Sequence, residues 1–320
     1  MENQGRNTEE SNGMESIGKI LRRGQESQPG QGGMSSGPTS QRQKVEKRSE
    51  ECECTSCGTR FPGEVTVYRY YNPPKEYRTR ECPQCQEKRE IEERKQQEEE
   101  AEVQRKLLRI KWRRESGLPL HLQNLEFGNL DNSYNPKAQK LCRDWADDFD
   151  LDRAKESGSL VLYSSVPGVG KTTLMACITN LIFDNWKGQP SNRSSCPIRF
   201  ISGPDLVRRI RSTYGIRKED NVHEREEDVY RELTGKPLLL LDDVGKEKAS
   251  DFTRETYWYI VNERVAANLP VVLNTRLPLY GEGGLNDLMG IDTVDRLYGM
   301  CQGRTVEVTG TSYRRLHKIP

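Results

Sequence analysis

The chain has 320 residues, with 50 lysines and arginines against 49 aspartates and glutamates and a formal charge of +1. A near-neutral balance excludes a nucleic-acid binder that works by overall attraction, so any such contact must come from local patches. With 33% hydrophobic and 31% charged residues and a mean hydropathy of −0.89, much of the length is expected to lie outside a packed core. No apolar run reaches membrane-spanning length and no secretory leader is recognisable, so a cytosolic protein is expected.

Residues 1–50 are rich in Gly, Ser, Gln, Pro and charge and are expected to be disordered, because such a composition cannot bury enough surface to fold alone. Within them MESIGKILRRG places Ile17, Ile20 and Leu21 at i, i+3, i+4, the spacing of a short helix that could dock on a partner.

Five of the nine cysteines lie between Cys52 and Cys85. Cys54 and Cys57 form one CxxC knuckle, Cys82 and Cys85 another, and EVTVYRYY between them alternates as a hairpin strand does. Four thiolates placed two and two suit tetrahedral Zn²⁺, with the metal replacing the core that so short a segment cannot build. A zinc ribbon is therefore expected over 51–86. Cys52 is a surplus thiol that could substitute for Cys54. The separate cysteines 142, 177, 196 and 301 read as small buried apolar side chains.

Residues 87–117 are nearly all charge, acidic first and basic later. A solvated helical linker is expected, with its basic end, Arg105 to Arg114 and Trp112, available to nucleic acid. Gly117 and Pro119 end it.

From residue 118 to 320 apolar strands alternate with helices: SLVLY, PIRFIS, KPLLLLDDVG, PVVLNT and RTVEVTG read as strands, with helical segments between them. That order implies an α/β fold, a parallel sheet flanked by helices, with ligands at the carboxyl ends of the strands. The few residues after the last strand leave no room for a large lid.

Between the first of these strands and its helix stands SSVPGVGKTT, a phosphate-binding loop in which Ser165 replaces the usual first glycine. Ser165, Val166, Pro167, Gly168, Val169 and Gly170 would cradle phosphates with backbone N–H groups, while Lys171 reaches the β and γ phosphates. Thr172, followed by Thr173, supplies a hydroxyl to Mg²⁺. The serine is expected to restrict the opening turn. Asp242 and Asp243 end an apolar strand, where adjacent acids call for a nearby cation: Asp242 in the Mg²⁺ shell, Asp243 orienting or deprotonating water. The two motifs in order imply a nucleoside triphosphate site.

Taken together, SGLPLHLQNLEFGNLD, VPGVGKTT, RFISGPDLVRRIRSTY, the LLLLDDVGKEKASDFTRETYWYIVNERVAANLPVV block and DTVDRLYGM with TGTSYR make residues 112 to 316 resemble the DnaC/DnaI/IstB family of AAA+ ATPases. The helicase loaders of that family are the nearest kind, since an amino-terminal zinc module is a DnaI-type feature. The resemblance makes Arg296 an arginine finger toward a neighbouring subunit's γ-phosphate and Arg314 a late, sensor-2-like arginine. It points to Arg208, Arg209 and Arg211 for single-stranded DNA. The family ends its sensor 1 strand with Ser-Asn or Thr-Asn, whereas NTRLP puts Arg276 at the Asn position and Asn274 two residues earlier; either Asn274 takes over the water contact or the sensor is altered. The function implied is an ATP-dependent loader that binds the replicative DNA helicase, delivers it to single-stranded DNA and self-associates on ATP. A transposition helper and a zinc adaptor that holds nucleotide without turnover are the competing readings.

Overall fold

The computed structural model describes residues 45–214 and 224–313, so the segment around Ile17 and the late Arg314 lie outside the described residues. The chain divides into two compact units, Met1–Lys88 and Arg89–Pro320.

In the first unit strands β1 (Val45–Glu53), β2 (Arg60–Tyr68) and β3 (Lys75–Arg78) form an antiparallel sheet in the order β1-β2-β3. β2 alternates as its sequence demands: Phe61, Val65 and Val67 turn inward with Cys52, Cys54 and Cys82. Gly63 shares that face, where a Cβ would come within 2.8 Å of the Cys52 sulfur. β1 starts at Val45, inside the segment expected to stay unfolded. Its polar alternation is supported across the sheet by ion pairs rather than apolar contacts, Lys47 with Glu64 at 2.9 Å and Arg48 with Glu76 at 3.2 Å.

Helix α1 runs Pro83–Glu115, and Gly117 beyond it takes the left-handed conformation (φ 89°) that commonly stops a helix. Its later half corrects the expectation of a solvated linker open to nucleic acid. Trp112 is fully buried, its ring 4.7 Å from Trp186 and 5.8 Å from Phe183. Arg109 donates to the Trp186 carbonyl (2.6 Å), and Arg113 pairs with Asp184 (2.6 Å). Arg105, also buried, is held by Glu98 and Glu102. One aromatic ring and arginines neutralised locally do the work of an apolar stripe.

The rest of the second unit follows in the order α2 (Pro136–Asp147), β4 (Leu160–Tyr163), α3 (Lys171–Asn185), β5 (Ile198–Ser202), α4 (Gly203–Ser212), α5 (Glu226–Gly235), β6 (Leu238–Val244), α6 (Asp251–Ala266), β7 (Val271–Thr275), α7 (Leu285–Met289), α8 (Ile291–Cys301) and β8 (Thr305–Glu307). The strands form a parallel sheet ordered β5-β6-β7-β4-β8. Strand side chains alternate between faces, and β6 shows why its sequence is unbroken leucine. Leu238 and Leu240 pack with α2 and α3, whereas Leu239 and Leu241 pack with α5, α6 and α8. Each such leucine contributes roughly 1.5–3 kcal/mol by leaving water. Among the described residues no helix is long and apolar enough to cross a membrane.

Candidate functional site

The loop between β4 and α3 opens on buried Ser164 and closes on Gly170, which caps α3 with φ 91°. Gly168 also has positive φ (78°), and a Cβ there would collide with Ser312. Ser165 is outside the left-handed region, so a side chain costs nothing there and the expected restriction of the opening turn does not arise. Lys171, 6% exposed, folds back to donate to the Ser164 carbonyl at 3.1 Å. Burial, and next the charge of Arg276, hold its ammonium below the ordinary lysine pKa.

Asp242, at the carboxyl end of β6, is 7% exposed. Thr172 Oγ1 donates to its Oδ1 at 2.9 Å, and the Asn274 amide donates to the same oxygen. Burial raises the Asp242 pKa, and the Thr172 hydrogen bond opposes the rise. A buried carboxylate and a hydroxyl beside a phosphate loop are hard oxygen donors of the type Mg²⁺ selects, so the residues fit that ion. Asp243 bends away with φ 52°, its N–H donating to Asn274 Oδ1 at 2.7 Å and its carboxylate paired with Lys246. Asn274 is fully buried, with its amide also against the Met175 sulfur. It stands behind the two acids and holds them, whereas Arg276, the residue just past β7, lines the cavity.

That cavity has a volume of about 430 Å³ and is lined by residues 167–174, Asp243, Lys246 and Arg276 on one side and the 121–139 segment on the other. Its size lies in the range of small-ligand sites. Leu122, Leu125 and Leu130 give it an apolar end, and Asn129, Asp131 and Gln139 add polar groups. Sequence reasoning missed this wall, and it missed the clamp on the loop. The Tyr313 N–H donates to the Gly168 carbonyl at 3.0 Å, and Asn135 Nδ2 donates to the Val169 carbonyl at 3.2 Å. Tyr134 donates to the Thr311 carbonyl and packs edge-on against Tyr313 at 5.5 Å. The TGTSYR block offered a signal for this, but not its direction.

The remaining candidates are not gathered at this cavity. Arg296 is exposed on α8 and donates to Asn262 at 2.9 Å. The three arginines of α4 divide. Arg209 is enclosed by Glu224 and by Glu232 (2.6 Å), so its charge is neutralised within the unit. Arg211 lies over the Phe252 ring at 4.9 Å, and Arg208 projects outward beside Asp205.

In the first unit Cys54, Cys57, Cys82 and Cys85 bring their sulfurs within 4.8 Å of one another. Zinc bound about 2.3 Å from each sulfur separates sulfurs by roughly 3.8 Å, and Cys57 and Cys82 stand 3.7 Å apart. The Cys82 N–H donates to the Cys54 sulfur at 3.3 Å and is the main cause that brings its thiol down to about 6, favouring the thiolate. The group contains Cys54, whereas Cys52 belongs to the buried cluster of the sheet without joining the four sulfurs. The cysteines at 142, 177, 196 and 301 are all buried.

No protein-family model matches the chain. It is 23% identical over 184 residues to the "Replicative helicase loader DnaC" of Buchnera aphidicola subsp. Acyrthosiphon pisum (strain APS), 57% of this chain and 66% of that protein. The namesake from the Schizaphis graminum subspecies (strain Sg) is 22% identical over the same length. The match thus spans just under two thirds of these relatives. Among solved structures, the chain is similar to a DnaC helicase loader (22% identity, TM-score 0.46, 60% of this chain and 100% of that one) and to DnaI (20%, TM-score 0.44, 61% and 94%). The sequence blocks and the curated relatives agree, and the chain is similar to the DnaC helicase loaders.

Proposed function

We propose that this protein is an ATP-dependent loader of the replicative DNA helicase, with nucleotide state as its switch. The observation that carries the reading is the Thr172 hydroxyl bonded to buried Asp242 at 2.9 Å beside Lys171, at the mouth of a nucleotide-sized cavity. The loop N–H groups and Lys171 hold the phosphates; Thr172 and Asp242 hold Mg²⁺, which supplies positive charge to the phosphate oxygens when bound. Asp243, set by Asn274 and Lys246, orients the attacking water and accepts its proton. Arg296 completes the site of a neighbouring copy, so hydrolysis depends on assembly; an arginine supplied in trans contributes about 10³ to 10⁵ in rate.

The zinc unit holds the helicase, and outward Arg208 leads the contact to single-stranded DNA. This contact is largely independent of base sequence and weakens with salt. The curated relatives named as helicase loaders support the partner. ATP hydrolysis by the full chain, with and without single-stranded DNA, tests the reading. Lys171→Ala is expected to lower the rate at least about a hundredfold; undiminished turnover in that variant would remove the assignment. A second reading, an adaptor that binds ATP without turnover, is favoured by the ion pair that occupies Asp243. Tight nucleotide binding with no phosphate release under assembling conditions would select it.

A further inference from the structure

The sheet of the first unit has two faces, and only one of them is taken up by its core. Phe61, Val65 and Val67 of β2 turn toward the cysteines, so the alternate residues of β2 and their cross-strand partners point outward. Thr66 is paired with Tyr77 and Tyr68 with Lys75, which places two aromatic rings and an ammonium on the outward face.

These rings belong to a cluster. Tyr68 meets Tyr77 edge-on at 5.4 Å and Tyr70 edge-on at 5.6 Å, Tyr70 tilts against Tyr71 at 4.6 Å, and the Lys75 ammonium lies 4.5 Å from the centre of the Tyr71 ring. Tyr70 is 51% and Tyr77 58% exposed, and in an edge-on pair the ring that supplies the edge keeps both of its faces open. Between Tyr68 and Arg80 the chain carries Arg69, Lys75, Arg78 and Arg80 against the single acid Glu76. Arg69 is paired with Glu46, and Arg78 with Glu50 and Glu76; Lys75 and Arg80 have no ion pair among the described residues. Val45 is the only large aliphatic side chain exposed among the described residues of this unit, so the face lacks the aliphatic company that a water-excluding protein interface builds around its rings.

We propose that this outward face of β2 and β3, with the turn between them, binds single-stranded DNA: the tyrosine rings stack on unpaired bases, and Lys75 and Arg80 meet the backbone phosphates. It is a second contact, on a different unit from Arg208, and it needs neither nucleotide nor Mg²⁺. That the strand is DNA rests on the loader reading; the stacking chemistry does not. Every base has a π-face, so the rings give affinity with little sequence preference, and the unpaired cations make that affinity fall with salt. A duplex keeps its base faces inside the stack and offers this surface only phosphates.

The test is equilibrium binding, without ATP, of a fluorescein-labelled oligothymidylate about 15 nucleotides long to the full chain, beside an abasic strand of the same length that keeps the phosphates and lacks the bases. Tyr70→Ala combined with Tyr77→Ala is expected to weaken the oligothymidylate at least about fivefold and to leave the abasic strand within about twofold, whereas phenylalanine at both positions keeps the affinity. Lys75→Ala is expected to weaken both strands and to flatten the salt dependence. Unchanged oligothymidylate binding by the double alanine variant, or equal weakening of both strands, overturns the proposal; loss of helicase capture by that variant in place of DNA binding would make the face a protein interface. If Arg208→Ala loses the DNA while the double variant keeps it, this site falls and the loader reading stands. An unaltered chain that binds neither strand removes this site and the DNA contact of that reading together.

Discussion

Cys54, Cys57, Cys82 and Cys85 in the first unit, and Thr172 with Asp242 in the second, are both candidate ligand sets for a divalent ion, yet they stand in opposite relation to the core around them. Two of the thiols, Cys54 and Cys82, are part of the core itself with Cys52, Phe61, Val65 and Val67, and Cys85 packs against it. Thr172 and Asp242 sit at the edge of a finished one, with Leu238 to Leu241 fully buried beneath them. In the first case cation binding is folding free energy; in the second the protein spends stability to keep a carboxylate ready for a ligand.

The largest effect that would break this contrast concerns the first unit. Structural zinc sites carry roughly 10–16 kcal/mol of apparent binding energy, so chelation, or Cys82→Ser, is expected to unfold the three-stranded sheet of the full chain. Hydrogen exchange should show protection lost across Arg60–Tyr68 and retained across Leu238–Val244; a β2 that stays protected without metal would end the argument. The second unit should answer to packing. Trp112→Ala, which empties the space between Phe183 and Trp186, is expected to cost about 3–5 kcal/mol in urea unfolding with zinc content unchanged. Because the indole N–H has no partner, Trp112→Phe should be far milder. A cost below about 1 kcal/mol for the alanine variant would mean that the later half of α1 is solvated after all.

Much of this was legible in the sequence, for reasons that differ by region. LVLY, PIRFIS, LLLLDD and VVLNT read correctly because strands buried on both faces are near-continuous apolar runs. The candidate phosphate loop falls between a strand and a helix, and the two cysteine pairs meet in one cluster, as the spacing of each motif implies. β1 was missed because its pairing rests on charges whose partners, Glu64 and Glu76, lie 17 and 28 residues further along the chain. Arg209 looked available for nucleic acid until Glu224 and Glu232, from later in the chain, closed on it. The placement of Asn274 and Arg276 turns on where β7 ends: the asparagine is still inside the sheet and sealed, while the arginine has just left it. No local pattern locates that boundary to within one residue.

The smallest effect sharpens the other side of the contrast. Burial raises the pKa of Asp242, so the folded state binds that proton more tightly than the unfolded state does. By linkage, the ionised carboxylate then detracts from stability: the loss is complete above the raised pKa and disappears as pH falls below the ordinary carboxylate range. Without nucleotide and Mg²⁺, Asp242→Asn is therefore expected to melt at or above the temperature of the unaltered chain near neutral pH, by a few degrees for each kcal/mol recovered. The gap should close on acidification. Asparagine can still accept from Thr172, so the hydrogen bond is not the variable. Cysteine ligands exchanged in the first unit would lower stability and this ligand exchanged in the second would raise it; a melting temperature that falls in Asp242→Asn would mean that the second site, too, is part of what holds its unit together.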